Sequence, residues 1–133
     1  VVKTDANMMQ LVDNVTLKPK KIFTYRTIDP AYGARFAAAH HQDDPQTGEW
    51  VNFTLEIFPK PTWNVFSYAK RGTTGSVEVK RYQPINENLS LPPNRLFPTK
   101  PLTASYTHAF AMTKNYIVIP NWSYYFTYRA LSI

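Results

Sequence analysis

Three histidines are present in the chain, and two segments hold all of them. One reads Ala38-Ala-His-His-Gln-Asp-Asp-Pro-Gln-Thr-Gly-Glu49, the other Ser105-Tyr-Thr-His-Ala-Phe-Ala-Met-Thr-Lys-Asn-Tyr-Ile-Val-Ile119. Neutral imidazole is the commonest metal ligand, so this pairing raises a metal-site hypothesis. His40 and His41 are neighbours in a strand-like run, which sends their side chains to opposite faces. At most one of them joins His108 on a single ion, which argues against a complete three-histidine zinc centre of the hydrolytic kind. Tyr106, Phe110 and Met112 flank His108 in a run that reads as a buried strand. A buried imidazole needs a partner on each nitrogen, or a metal on one of them. The competing reading is that each histidine only packs, the commoner role for a lone one in a strand.

Other chemistries find less support. There is no Ser-His-Asp order, no Gly-x-Ser-x-Gly elbow and no phosphate-binding glycine loop. With no cysteine, neither a disulfide scaffold nor a thiolate metal site can form. Asp43, Asp44 and Glu49 share one turn and could face a hard cation. Their spacing lacks the EF-hand alternation and its central glycine, and turns favour Asp for local reasons, so a solvated turn is the better reading. Asn14-Val-Thr, Asn52-Phe-Thr, Asn88-Leu-Ser and Asn121-Trp-Ser match the glycosylation triplet, a pattern frequent by chance.

The elements that must position these histidines read as strand after strand. Runs at Met8 to Val12, Lys21 to Ile28 and Arg35 to His41 are separated by turn-rich pieces. Val51-Asn-Phe-Thr-Leu-Glu-Ile57 alternates apolar and polar residues, the period-two pattern of a half-buried strand. Trp63 to Ala69 and Ser76 to Tyr82 follow, joined by Lys70-Arg-Gly-Thr-Thr-Gly75 as a hairpin. Asp43-Asp-Pro-Gln-Thr-Gly48 joins the preceding pair, with Pro and Gly supplying turn geometry. From Pro84 to Leu102 five prolines make a long loop. Strand pattern resumes at Ser105 to Met112, Tyr116 to Pro120 and Tyr124 to Arg129. No helix is expected. Repeated hairpins at this spacing fit a sandwich, a barrel or propeller blades.

Composition agrees with one all-β domain or a piece of one over residues 1–133. Hydrophobic residues make up 44%, enough for a core, and aromatics 15%, which favours pleated surfaces. Eleven prolines against four glycines argue against long helices. The net charge of +6 comes from dispersed basic residues. Without a dense tract, a solvated surface is expected rather than a nucleic-acid partner. No apolar run of about 18 residues could span a bilayer, and no basic-apolar-small signal pattern opens the chain. A cytoplasmic location is expected, with peripheral membrane contact as an option for a basic protein.

Both histidine segments resemble the carotenoid cleavage oxygenases, which include carotenoid, apocarotenoid and stilbene dioxygenases. Ala39-His-His-Gln-Asp-Asp-Pro-Gln-Thr-Gly-Glu49 is similar to a family segment of the form Ala-His-Pro-x-x-Asp-Pro-x-Thr-Gly-Glu, with His41 in place of the usual proline. Tyr106-Thr-His-Ala-Phe-Ala-Met-Thr-Lys-Asn-Tyr-Ile-Val118 is similar to Tyr-x-His-Ser-Phe-x-x-Thr-x-Asn-Tyr-x-Val. Thr4-Asp-Ala-Asn7, with Leu11-Val-Asp13 and Thr16-Leu17, is similar to the strand that precedes them.

The resemblance implies that His40 and His108 are ligands of a ferrous iron, Fe(2+). It implies that Asp5, where the family commonly has Glu, hydrogen-bonds His108 from behind. It further implies a seven-bladed β-propeller with an axial iron on four histidines, of which this chain would supply about two blades, as antiparallel hairpins, and two ligands. The implied reaction inserts both atoms of dioxygen across a conjugated carbon–carbon double bond of an apolar polyene or stilbene, giving two carbonyl products. Two blades alone leave open sheet edges, so poor stability in isolation is expected. The rival readings are a family relative that has lost its ligands, and a non-catalytic β module in which Trp63, Trp122 and Tyr124 form an exposed aromatic platform.

Overall fold

A computed structural model describes residues 1–71, 76–86 and 103–126 of the chain. The architecture is almost entirely antiparallel β. Strands β1 (Val2–Lys3), β2 (Met9–Val12) and β3 (Pro19–Phe23) form a three-stranded sheet in that order. A helical turn α1 (Tyr25–Ile28) and a 3-10 turn (Pro30–Tyr32) follow. The main sheet contains β4 (Phe36–Ala37), β5 (Gln42–Asp43), β6 (Trp50–Glu56), β7 (Thr62–Arg71) and β8 (Ser76–Arg81). Strands β9 (Ala111–Met112) and β10 (Ile117–Val118) make a separate short hairpin. No closed sheet occurs among the described residues.

Strands β4 and β5 pair with the same edge of β6. Phe36 and Ala37 face Leu55 and Thr54, while Gln42 and Asp43 face Val51 and Trp50. They are two halves of one edge strand, interrupted at residues 38–41. The β5–β6 turn uses the expected chemistry: Asp44 Oδ1 accepts from the backbone N–H groups of Gln46 and Thr47. Gly48 then takes a left-handed φ of 68°, which a residue with a Cβ adopts only with strain. Strands β7 and β8 pair antiparallel, as the hairpin reading requires; residues 72–75 at its tip, most of the proline-rich loop (87–102) and residues 127–129 of the last expected strand lie outside the described residues.

Several expectations need correction. The run from Lys21 to Ile28 is not one strand. It leaves the sheet after Phe23, and Thr24 caps α1 through a reciprocal side-chain and backbone exchange with Thr27. Asp29 then accepts from Ala31 N–H to open the 3-10 turn, with Pro30 in the position where its missing N–H costs nothing. Strand β6 is not half-buried: Asn52 and Thr54, two polar residues of its alternation, are 0% exposed, and only Glu56 of that set reaches solvent. The reason is a second layer. One face of the main sheet packs Val51, Phe53, Leu55, Trp63 and Val65 with Ala104 and Phe110. The other packs Phe66, Tyr68 and Ala37 against Met9, Tyr25 and Tyr32 from the N-terminal layer. Tyr25 sits edge-on to Phe66 with centroids 5.0 Å apart, and its phenol accepts from Asn52 Nδ2 at 2.6 Å. Trp63 belongs to the first core at 2% exposure, so it cannot serve an exposed aromatic platform.

Candidate metal-ligating site

The break between β4 and β5 is where His40 leaves the sheet. A ladder cannot stop inside a folded chain without leaving backbone groups to satisfy, and both flanking groups find partners. The Ala38 carbonyl accepts from Asn52 Nδ2 at 3.1 Å, and Ala39 N–H donates to the His108 carbonyl at 3.1 Å. The second bond ties the two histidine segments together through their backbones. Gln42 adds a third tie, its Nε2 donating to the Phe110 carbonyl at 2.9 Å.

His108 is not in a buried strand, contrary to expectation. The ladder near it is limited to a bridge at Ser105 and the short strand β9, and His108 sits in a bend between them with its side chain 49% exposed. The buried neighbours are Ser105, Thr107 and Phe110, which anchor the bend on either side.

His40 and His41 do diverge, although they lie in the break between β4 and β5 and not in a strand. His40 Nε2 lies 3.0 Å from His108 Nε2. His41 turns the other way, placing Nδ1 2.7 Å from Lys3 Nζ and its ring edge-on to Trp50. Burial, and next the Lys3 charge, hold His41 below the ordinary imidazole pKa, so it is a neutral group at neutral pH. Lys3 is itself held down to about 8 by burial. Its Nζ donates to His41 Nδ1, which needs the lone pair there.

Behind His108 stands Asp5. Its Oδ1 lies 2.6 Å from His108 Nδ1. That oxygen is buried and has no aligned hydrogen bond, to His108 or to any other described group, and a ring proton on the adjacent Nδ1 could satisfy it. Oδ2 accepts from the Tyr106 phenol at 2.8 Å. This bond, with burial second, pushes the Tyr106 pKa above its ordinary value, and the phenol keeps its proton at neutral pH.

In the tautomer with the proton on Nδ1, beside Asp5, the Nε2 lone pair of His108 faces His40. Two imidazoles offering Nε2 to one point are suited to a metal that takes nitrogen ligands. At 3.0 Å the two Nε2 atoms are within hydrogen-bond distance of each other. Among the described residues no set of three or more His, Cys, Asp or Glu converges on a metal position. The acidic turn is not a rival. Asp44 is spent on its own turn, Glu49 accepts from Ser67 Oγ at 2.8 Å, and Asp43 lies toward His41.

Comparison with known proteins places the chain in a family. The family model described as retinal pigment epithelial membrane protein matches residues 1–132. The chain belongs to the carotenoid oxygenase family. A carotenoid dioxygenase of Neurospora crassa is 42% identical over 65 residues, covering 49% of this chain and 11% of that protein. A torulene dioxygenase of Gibberella fujikuroi is 28% identical over 130 residues, covering 98% of this chain and 20% of that protein. The chain thus spans a fifth or less of the length of these carotenoid oxygenase relatives.

Of the residues brought together here, the sequence pointed to His40, His108 and Asp5. It missed the roles of Tyr106 and Asn52. Tyr106 had a signal, since residues two apart in an extended chain share a face. Asn52 had none, because nothing local reveals which carbonyl a buried amide will reach.

Proposed function

We propose that this chain is the part of a ferrous-iron dioxygenase that supplies two of its iron ligands, His40 and His108, each through Nε2. The observation that carries the reading is the approach of those two nitrogens to 3.0 Å with a carboxylate on the far side of one ring. Iron, when bound, would supply the site for activating dioxygen. Asp5 holds the proton on His108 Nδ1 and so keeps Nε2 free as a lone pair. The backbone bond from Ala39 to the His108 carbonyl fixes the distance between the rings. Neutral ligands leave the cation's charge uncompensated, which suits oxygen activation beside an apolar substrate.

The substrate class is a carotenoid-type polyene, supported by the names of the relatives. The reaction breaks one conjugated carbon–carbon double bond and gives each carbon one oxygen atom of dioxygen, so that one alkene and one dioxygen become two carbonyls. The hairpins β6–β7–β8 would be blade strands of a propeller completed by the rest of the protein. Exposed Tyr116, Trp122 and Tyr124 support peripheral contact with a membrane, where such rings sit well at the boundary, on an enzyme otherwise in the cytoplasm. A sugar- or peptide-binding platform loses its support with the burial of Trp63.

The test is His108→Ala in the full-length protein, with bound iron and polyene cleavage measured together. Loss of both is expected. Undiminished turnover with iron still bound would refute the assignment.

A further inference from the structure

Tyr106 stands two residues before His108, with ring centroids 6.4 Å apart. Its backbone is held from the other side, Tyr106 N–H donating to the Tyr124 carbonyl at 2.9 Å. The phenol makes two contacts at once. It donates to Asp5 Oδ2 at 2.8 Å, and its oxygen lies 3.3 Å from His108 Nδ1. The partners are 101 residues apart in sequence, so the contact is a product of the fold.

An aspartate has two equivalent oxygens and can rotate to offer either. The phenol removes that freedom, because its single proton occupies Oδ2 and leaves Oδ1 to His108 Nδ1. With that proton committed, the phenol turns a lone pair toward Nδ1. The nitrogen is then faced by two acceptors, Asp5 Oδ1 and the phenol oxygen, and both are satisfied only if Nδ1 carries the ring proton. We propose that Tyr106 is a positioning residue that selects the Nδ1–H tautomer of His108 by fixing the Asp5 carboxylate. This deepens, and rests on, the reading of His108 as a ligand through Nε2. Without the hydroxyl, Asp5 is free to rotate and the Nε2–H tautomer, which cannot bind a metal through Nε2, becomes accessible.

The experiment uses the full-length protein and Tyr106→Phe, which removes one oxygen and keeps the ring. Two quantities are read: ferrous iron affinity by competition with a chelator, and the His108 tautomer in metal-free protein by nitrogen-15 NMR of labelled histidine. Affinity should fall about 10- to 100-fold, the usual cost of losing an outer partner of a metal-bound histidine, and the single tautomer should become a mixture. A single Nδ1–H tautomer in the variant would overturn the proposal whatever the affinity does.

A second arm has an opposite sign. In Asp5→Asn only one oxygen remains, and the phenol and His108 Nδ1–H compete for it. Adding Tyr106→Phe there should restore part of the lost affinity, whereas a further loss would overturn the proposal. If Tyr106→Phe fails to fold, Tyr106→3-fluorotyrosine keeps the shape and sharpens the donor. It should preserve one tautomer, and a mixture there would overturn the idea. Wild-type protein that binds no ferrous iron would sink the ligand reading alone, since the tautomer in metal-free protein still decides the role of Tyr106.

Discussion

Replacing Asp5 by Asn keeps size and shape and removes one charge, so it isolates what the carboxylate does for His108. In the native arrangement two donors share two oxygens: His108 Nδ1 at 2.6 Å from Oδ1, and the Tyr106 phenol at 2.8 Å from Oδ2. Asn offers one oxygen to both. A hydrogen bond to a charged group is worth about 1.5–3 kcal/mol net. The Asp5 and His108 side chains are 32% and 49% exposed, so water replaces part of the loss and the lower end applies. About 1.5 kcal/mol is close to a tenfold change in an equilibrium constant. Ferrous iron should therefore bind the full-length Asp5→Asn protein about tenfold more weakly, within the range known for outer partners of metal-bound histidine. Chelator competition measures this, and a melt of the metal-free protein checks that the fold survives. Unchanged affinity would refute the reasoning. So would total loss of binding, because Asp5 would then be acting as a ligand rather than as support.

Two further outcomes follow from the core and from Lys3. Phe53 is 1% exposed and edge-on to Phe110, so Phe53→Ala should cost about 3–5 kcal/mol of stability in the full-length protein by denaturant midpoint; a negligible shift would contradict the packing described. Lys3 is held down to about 8 from an ordinary 10.5 by burial, so between those values the unfolded chain binds more protons than the folded one. Stability should therefore rise with pH across that window. Lys3→Met should abolish the rise in melting temperature from pH 8 to 10, and an equal rise in both proteins would refute the assignment.

The secondary structure was legible where it is governed by local pattern. Turn chemistry at Asp44 to Gly48 and the β6–β7–β8 hairpins follow from alternation and from Pro and Gly. The failures have a common cause. Alternation in β6 predicts one wet face, but the N-terminal layer, distant in sequence, covers it and buries Asn52 and Thr54. The run from Arg35 to His41 reads as one strand, yet the ladder breaks at residues 38–41 because Asn52 and the His108 carbonyl satisfy the backbone better placed there. The segment around His108 has strand composition but little ladder, since its partners are side chains and bends rather than a neighbouring strand.

By itself the sequence determined the family, the identity of the two candidate ligands and the carboxylate behind one of them. Those are carried by short motifs. Only the tertiary structure brought His40 to His108, turned His41 to Lys3, and set a phenol against the supporting carboxylate. Residues 40 and 108 are 68 positions apart, and residues 5 and 106 are 101 apart. The physical reason is that β structure satisfies its polar groups across the chain rather than along it. Tautomer and orientation are thus set by contacts that no local stretch contains.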